Sequence, residues 1–280
     1  MAPQPVAAPE PSASSALPSR APRSRFATLR IIAITLVALM LIGRLVLRPF
    51  VFEAYRISNA GLFPTLLADE HVFANKAAYG PRLPFEAGRL WNGLPPKRGD
   101  LVVFEYPEAI SEHFIQRVVA LPGEKIEVRR GRVWINDAIV PRCRVGRTSY
   151  EDPAEGPRPA SKVEGDVFVE LLEGRPHLTF ADTRDSPMSA GPWTVKAGEV
   201  FVLGDNRNRS RDSRFWWNGK GGGVPFERIR GRVGTIWESS DHERVFTNAM
   251  EPPTLPTSMK ANQAQLDACL GSTPKIEPEP

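Results

Sequence analysis

The sequence predicts a mainly β domain that follows one hydrophobic helix near the N-terminus. An unbroken apolar run lies within residues 26–49, and short runs of alternating or β-branched residues follow it. Turn residues separate these runs in a chain that has 28 prolines and 22 glycines among its 280 residues. Proline and glycine at this frequency favour a loop-rich β architecture over a helical one.

The first segment, residues 1–25, consists largely of Ala, Pro and Ser and has almost no large apolar side chain. Such a segment does not bury enough apolar surface to offset the conformational entropy that folding would remove. We therefore expect residues 1–25 to be a disordered tail.

The apolar run of residues 26–49 is long enough to cross a bilayer as a helix. Arg30 and Arg44 lie near its ends, where long side chains can reach the membrane interface. A cleaved signal peptide is the alternative, but its charged region would be long, and no small-x-small site closely follows the apolar core. We expect a retained transmembrane anchor, which makes the lipid bilayer a partner of the chain.

Positive charge is concentrated at the start of this run. Arg20, Arg23, Arg25 and Arg30 precede or open it, and only Glu10 opposes them. Because loops rich in Lys and Arg stay on the cytoplasmic side, the N-terminus is expected in the cytoplasm and the bulk of the chain outside it.

The strand-like runs of the β domain fall within residues 50–246. In chain order they lie at residues 71–80, 99–107, 113–140, 198–206 and 231–239. Residues 143–192 are more polar and richer in proline, so we interpret them as an inserted subdomain or a long hairpin. Residues 247–280 are predicted to form a C-terminal tail with at most one short helix.

The composition argues against several classes of function. The net charge is +4 with basic residues scattered among acidic ones, so no nucleic-acid-binding stripe is predicted. The four histidines have no metal-ligand spacing, so we predict neither a metal nor another cofactor. Cys143 and Cys269 are the only cysteines. A disulfide and two separate thiols are equally compatible with the sequence, which does not place their Cα atoms.

The most unusual segment is GDNRNRSRDSR, residues 204–214, which follows an apolar run directly. Charges of both signs at this density predict an internal network of salt bridges that holds a loop rigid. A solvated surface turn is the alternative.

The order of five sequence blocks resembles the type I signal peptidases, the membrane-anchored serine proteases that remove signal peptides from exported proteins. The resemblance runs from the anchor to about Trp237, and the blocks are RPFVFEAYRI, PTL then NKAAYG, KRGDLVVFEYP, FIQRVVALPGEKIEV and LGDNRNRSRDSRFW. It implies a signal-peptidase-like periplasmic β domain on a single-pass anchor in the bacterial inner (cytoplasmic) membrane. It also implies that an extended substrate adds beside a strand.

This family cleaves peptide bonds with a serine nucleophile and a neutral lysine as general base. The serine position, three residues before Pro64, holds Gly61, and the lysine position, just before Arg117, holds Gln116. Glycine has no nucleophilic atom, and glutamine is not a base near neutral pH. The resemblance therefore predicts a catalytically inactive homologue that binds signal peptides or partners an active signal peptidase paralogue.

Other positions of the family's site are better preserved. Asn59 stands where the family has a side-chain oxyanion donor, and Ser210 stands where a serine hydrogen-bonds the lysine. Asp212 and Arg214 occupy the positions that brace this serine. The family's pockets for small side chains map onto Tyr55, Ile57, Leu62, Leu66, Phe114 and Ile115. Ordinary core packing is an equally good interpretation of these six residues.

Two other functions are compatible with the sequence. One is an active signal peptidase that uses a non-standard nucleophile, for which Ser58 is the least unfavourable candidate although it lies three residues early. His113, three positions before Gln116, is expected on the opposite face of its strand and is therefore not a candidate base. The other function is that of a structural envelope protein that no longer binds peptides.

Overall fold

The computed structural model describes residues 25–47, 51–80, 93–154, 157, 159–185, 188–250 and 252–271. The chain divides into two units, residues 1–43 and 44–280. Of the predicted disordered tail, residues 1–24 lie outside the described residues, as do residues 48–49 of the predicted anchor and 272–280 of the C-terminal tail.

The first unit contains one long helix, α1, over Arg25–Ile42. A π-helical segment, Gly43–Leu47, continues the chain from it. Residues Phe26–Leu45 have a mean hydropathy of 2.3, and none of this apolar surface is buried by the chain itself. By its length and composition, this stretch is the one candidate membrane span in the part of the chain that the structure describes.

The second unit is mainly β, which confirms the predicted fold class. Among the described residues its strands are β1 Phe52–Arg56, β2 His71–Asn75, β3 Leu101–Tyr106, β4 Ala109–Ala120, β5 Lys125–Arg129, β6 Arg132–Ile135, β7 Ala138–Ile139, β8 Arg142–Asp152, β9 Ser161–Leu172, β10 Arg175–Asp182, β11 Ala190–Thr194, β12 Glu199–Leu203, β13 Val224–Pro225 and β14 Ile229–Glu238. Its helical elements are short 3-10 turns at Lys76–Tyr79, Phe226–Arg228, His242–Arg244 and Thr257–Asn262, one helical turn at Trp216–Gly219, and the helix α2 over Gln263–Gly271.

Three antiparallel sheets make up this unit. The largest has the strand order β1-β2-β14-β3-β4-β12-β13, and the other two have the orders β10-β9-β8 and β11-β5-β6-β7. Within the described pairings, β1 pairs only with β2. Strand β4 pairs with β3 along residues 109–117, but its pairing with β12 begins only at Arg117. Within the described residues, strand β1 and the first part of β4 therefore each have one edge without a strand partner.

The predicted insertion contains the sheet β10-β9-β8. One hydrophobic core joins its inner face to Ala60 and Phe63 from the loop after β1. The ring of Phe63 stacks on that of Tyr150 with centroids 4.2 Å apart and meets Phe180 edge-on at 5.3 Å. The inserted sheet thus supports the loop that the sequence marks as a candidate site. The last predicted insert residues, in β11, belong instead to the sheet with β5.

The chain after residue 246 also contributes to this core. Leu255, Met259 and Leu266 are buried against the inserted sheet. A disulfide joins Cys143 in β8 to Cys269 in α2 with their Cα atoms 5.7 Å apart, which resolves the question that the sequence left open. Residues 252–271 are therefore packed against the domain, and α2 is the short helix that the sequence allows there.

Replacing both cysteines with serine is expected to lower the free energy of unfolding by about 2–4 kcal/mol, because the disulfide closes a loop of 126 residues in the unfolded chain. Urea unfolding of the full chain in detergent, followed by tryptophan fluorescence, measures this change. Wild-type protein unfolded with a reductant should match the double variant, and equal stability of oxidised wild type and variant would contradict the prediction.

Candidate functional site

The loop that follows β1, residues 57–66 (the Gly61 loop), has a compact backbone. The amide of Phe63 donates to the carbonyl of Ala60 at 3.1 Å, and that of Leu66 donates to Leu62 at 3.0 Å. The Gly61 amide donates to the side-chain oxygen Oδ1 of Asn59 at 3.0 Å. This local side-chain-to-backbone bond explains why an Asn suits a position two residues before Gly61.

A second loop, residues 204–214, lies against the Gly61 loop. The backbone amide of Asn206 donates to the carbonyl of Gly61 at 3.1 Å. The side-chain amide of Asn206 donates to the carbonyl of Ala60 at 3.0 Å and to the hydroxyl of Tyr150 at 2.7 Å. One fully buried asparagine therefore connects the Gly61 loop, the 204–214 loop and the inserted sheet.

Ser210 connects the two positions at which the family's dyad is replaced. Its hydroxyl donates to Oε1 of Gln116 at 3.3 Å. On the other side, a Cβ placed on Gly61 would lie 3.8 Å from the Ser210 Cα. Gln116 also donates from Nε2 to the carbonyl of Arg211 at 3.4 Å. Gly61, Gln116 and Ser210 come from three distant parts of the chain and meet at one place.

Buried ion pairs hold the 204–214 loop, as its sequence predicts. Asp212 accepts hydrogen bonds from Nε and Nη2 of Arg214 at 2.7 and 2.8 Å and from the amide of Gly204 at 3.0 Å. Asp205 accepts two bonds of 2.7 Å from Arg117, the neighbour of Gln116 in β4. The Arg117–Asp205 pair connects the loop to β4, the Arg214–Asp212 pair acts within the loop, and each carboxylate has an arginine as its partner.

A groove of about 270 Å³ opens beside this meeting point. Its lining combines the end of β1 and the Gly61 loop with the unpaired part of β4 and one residue of the 204–214 loop. The lining residues are Arg56, Ile57, Ser58, Asn59, Gly61, Leu62, Glu112, His113, Phe114, Ile115, Gln116 and Arg211. The groove therefore lies between the two unpaired strand edges.

The six apolar residues predicted to contact a peptide divide into two groups. Ile57, Leu62, Phe114 and Ile115 line the groove. Tyr55 and Leu66 are not among its lining residues. Leu66 is fully buried in a core cluster that also contains Ile57 and Leu62, which are 5% and 4% exposed, and the partly buried Tyr55 and Ile115 pack against this cluster. For Leu66 the geometry favours the packing interpretation.

His113 lines the same groove as Gln116, although an odd offset on β4 predicts opposite faces. The groove opens at the edge of this part of β4, so residues of both faces border it. Burial and the nearby Arg230 lower the pKa of His113 from its ordinary value, which keeps the imidazole neutral at pH 7. Its ring lies 5.9 Å from that of Tyr55.

Metal binding has no support within the described ranges of the chain, where no group of three or more His, Cys, Asp or Glu side chains is placed to hold an ion. The site combines side-chain amides, the hydroxyls of Ser58 and Ser210, the His113 imidazole and charged side chains.

The family model for signal peptidase, peptidase S26, matches residues 28–238. The chain belongs to this family. A signal peptidase I of Pseudomonas aeruginosa is 33% identical over 202 residues, which cover 70% of this chain and 68% of that protein. A signal peptidase I of Rickettsia typhi is 31% identical over 213 residues, covering 70% and 75%. A crystal structure of a signal peptidase I from Enterococcus faecalis matches 50% of this chain and 97% of that chain, with 22% identity and a TM-score of 0.29.

The predicted counterparts of this family's serine and lysine, Gly61 and Gln116, meet at Ser210, the predicted counterpart of the serine beside the lysine. Asn59, predicted to be the oxyanion donor, instead presents its oxygen, the acceptor end of the amide, to the Gly61 N–H. Asp212 and Arg214, which are predicted to brace Ser210, form a buried ion pair within the same loop.

Several residues at this signal peptidase site were not predicted. Arg56, Glu112 and Arg211 border the groove, and Asn206 joins the loops. The sequence carries a partial signal for Asn206, which lies within the mixed-charge segment. It carries no signal for Arg56 or Glu112, because which residues of β1 and β4 border the groove depends on how these two strands are placed in the folded domain.

Gly204 makes the close approach of the two loops possible. A Cβ at this position would lie 2.1 Å from Oγ of Ser210 and 2.5 Å from the carbonyl oxygen of Gly61. Gly204→Ala is therefore expected to displace the Gly61 loop and to lower the free energy of unfolding by about 1–3 kcal/mol. Gly234→Ala is the matched control, since a Cβ there has nothing within 4 Å. Urea unfolding measures the free energy of unfolding of both variants, and equal values would contradict the prediction.

Proposed function

We propose that this chain is a membrane-anchored signal peptidase homologue that binds signal peptides and does not cleave them. The observation that carries the proposal is the meeting of Gly61 and Gln116 at Ser210, where the family requires a nucleophile and a base. The neighbouring hydroxyl and the buried ion pairs are kept, but neither replaced residue supplies a reactive group.

The chemistry of acyl transfer explains why both replacements matter. A serine attacks a peptide carbonyl only after a base removes its proton, and a lysine does this only when burial keeps its amine neutral. Gly61 has no atom to attack with, and the Gln116 amide does not accept a proton near neutral pH. Loss of either group alone leaves only the rate that binding and oxyanion contacts provide.

Peptide binding does not depend on the dyad. An extended segment can add to the unpaired edge of β1 or of β4 through main-chain hydrogen bonds. The groove between these edges offers Ile57, Leu62 and Ile115 as apolar contacts for its side chains. These features support binding of a signal peptide in the extended conformation.

The proposed placement is a single pass through the bacterial inner membrane, with the N-terminus in the cytoplasm and the β domain on the outer side. The apolar helix near the N-terminus supports the anchor, and the arginines before it support the orientation. In this position the domain is in the compartment where signal peptides are cleaved, next to an active paralogue. The same genome is therefore expected to encode a second copy that carries both the serine and the lysine.

The proposal is tested by expressing the chain in a strain depleted of its own signal peptidase. Precursors of exported proteins are expected to accumulate as they do without the chain, whereas re-expression of the depleted enzyme restores processing. Normal precursor processing by this chain would refute the non-hydrolytic role.

An active enzyme with Ser58 as nucleophile is the second candidate function, because Ser58 is exposed and lines the same groove. Against it, no hydrogen bond joins the Ser58 hydroxyl to a base among the described residues. We expect Ser58→Ala to leave the low level of precursor cleavage in the depleted strain unchanged. A fall in cleavage on this substitution would favour the second candidate.

A purely structural role is separated from both by crosslinking. A photoreactive peptide with the small-x-small pattern is expected to label residues of the groove, and an unlabelled peptide should compete. Absence of labelling would indicate that peptide binding has been lost.

A further inference from the structure

We propose that the preferred ligand of this groove is a cleaved peptide that ends in a free carboxylate after a small residue. The carboxylate is held between the Gly61 loop and Gln116. The inference rests on the peptide binding proposed above and names its ligand class. Hydrolysis of a signal peptide at its cleavage site yields a peptide with this kind of end.

The first argument is space. A terminal carboxylate has one more oxygen than the carbonyl of an internal peptide bond. That oxygen requires room beside the terminal carboxyl carbon of the bound peptide. At Gly61 no side chain fills this position. The nearest atoms to a Cβ placed there are Asn59 Oδ1 at 3.0 Å and the Arg209 carbonyl oxygen at 3.6 Å. Glycine thus leaves no hydroxyl beside a bound carboxyl carbon, and the second oxygen fits once the Asn59 oxygen turns away.

The second argument is the supply of hydrogen-bond donors. A carboxylate is purely an acceptor. Two donors belong to residues that line the groove, the amide of Gly61 and the side-chain amide of Gln116. Gln116 now donates a bond of 3.4 Å to the Arg211 carbonyl, longer than the usual range, and the buried hydroxyl of Ser210 holds the other end of its amide. Because hydrogen bonds to a charged acceptor are about twice as strong as neutral ones, exchanging the long Gln116 bond for one to a carboxylate is favourable.

The availability of the Gly61 N–H as a donor depends on the side chain of Asn59. Its oxygen accepts the Gly61 N–H in the empty groove, but its side chain is exposed and free to rotate. Rotation releases the Gly61 N–H towards a ligand oxygen and can bring the amide nitrogen of Asn59 to the same oxygen. A bound carboxylate therefore replaces the internal acceptor that Asn59 provides.

The third argument is charge. The carboxylate of Asp212 is neutralised by Arg214, and the imidazole of His113 is neutral. Arg211 borders the groove with its side chain 64% exposed, and its contact with Glu108 is 3.9 Å long. Glu112 also lines the groove and opposes an anion, but it belongs to the exposed part of β4, five residues before Arg117, where the pairing with β12 begins. Arg211, from the loop that carries Ser210, is the cation placed to favour a carboxylate.

The test compares three fluorescent peptides of one apolar sequence that ends in Ala-Leu-Ala. The first ends in a free carboxylate, the second in a carboxamide, and the third continues for six more residues beyond the cleavage site. Binding to the full chain in detergent is followed by fluorescence anisotropy. The free acid is expected to bind about tenfold more tightly than the other two, the difference that one charge-assisted contact of about 1.4 kcal/mol produces.

Two arginine variants assign the effect to the proposed place. Arg211→Gln is expected to reduce the preference for the acid over the amide to about twofold, and high salt is expected to reduce it in the wild type. Arg56→Gln is the matched control, because Arg56 lines the groove but is paired with Asp69 at 2.7 Å. This control should keep the tenfold preference.

The outcomes separate this inference from the function on which it rests. Equal binding of acid and amide, or tighter binding of the continued peptide, overturns the carboxylate site and leaves peptide binding intact. Failure of all three peptides to bind overturns both. A preference for the acid that survives Arg211→Gln but is lost in Arg56→Gln overturns the assignment to the Gly61–Gln116 end of the groove.

Discussion

A chain that carries Gly61→Ser together with Gln116→Lys is expected to cleave precursor peptides, with a rate about 10³-fold or more above the parent. The substitutions restore the family's nucleophile and base in a neighbourhood that keeps Ser210 and the ion pairs beneath it. The added Cβ at position 61 meets only the exposed Asn59 side chain closely, at 3.0 Å, and this side chain can rotate away.

The lysine in this variant has the environment that its function needs. Gln116 is only 5% exposed, and burial disfavours the charged form of a lysine, which lowers its pKa. Activity is therefore expected to rise with pH as the amine loses its proton. Cleavage of a fluorogenic precursor peptide, measured over pH 6–10 in detergent, gives both the rate and the profile.

Three controls make this result specific. Each single substitution should remain as inactive as the parent, because serine and lysine act as a unit. Gly61→Ala with Gln116→Lys adds the same Cβ but no hydroxyl, and it should also be inactive. Activity in this alanine variant, or in the parent, would show that the nucleophile lies elsewhere.

Asp205→Asn is expected to lower the free energy of unfolding by about 3–5 kcal/mol, because it leaves the charge of Arg117 buried without a partner. The two side chains are 2% and 1% exposed and form two hydrogen bonds of 2.7 Å. Arg117 also donates to the carbonyl of Gly99 at 2.9 Å, just before β3. Displacement of the Arg117 side chain would therefore disturb the start of β3 as well as the 204–214 loop. Urea unfolding of the full chain measures the change.

The matched control is Glu243→Gln, which breaks the ion pair with Lys260, where both side chains are more than half exposed. Exposed pairs contribute about 0–1 kcal/mol, so this variant should unfold near the wild-type midpoint. Combining Arg117→Met with Asp205→Asn should recover part of the loss, since the charge is then removed too. Equal effects of Asp205→Asn and Glu243→Gln would contradict the assignment of a buried pair.

The sequence by itself determined the apolar helix, the mainly β domain and the family. These depend on local information: the length of an apolar run, the spacing of turn residues, and motifs that keep their order along the chain. The assignment of Gly61 and Gln116 to the family's serine and lysine positions also comes from the sequence, since each is counted from an adjacent motif, and it stays a prediction. The mixed-charge segment correctly indicated a rigid loop, since charges of both signs beside an apolar strand need each other as partners.

Only the tertiary structure decided what these residues do together. Whether Cys143 and Cys269 pair depends on how α2 packs on β8, and alternation along β4 could not place His113, because the groove opens at a strand edge. The orientation of Asn59 follows from a bond to the Gly61 amide that no motif records. Such contacts join segments that are far apart in the chain, so they are set by packing and register, which a single sequence does not encode locally.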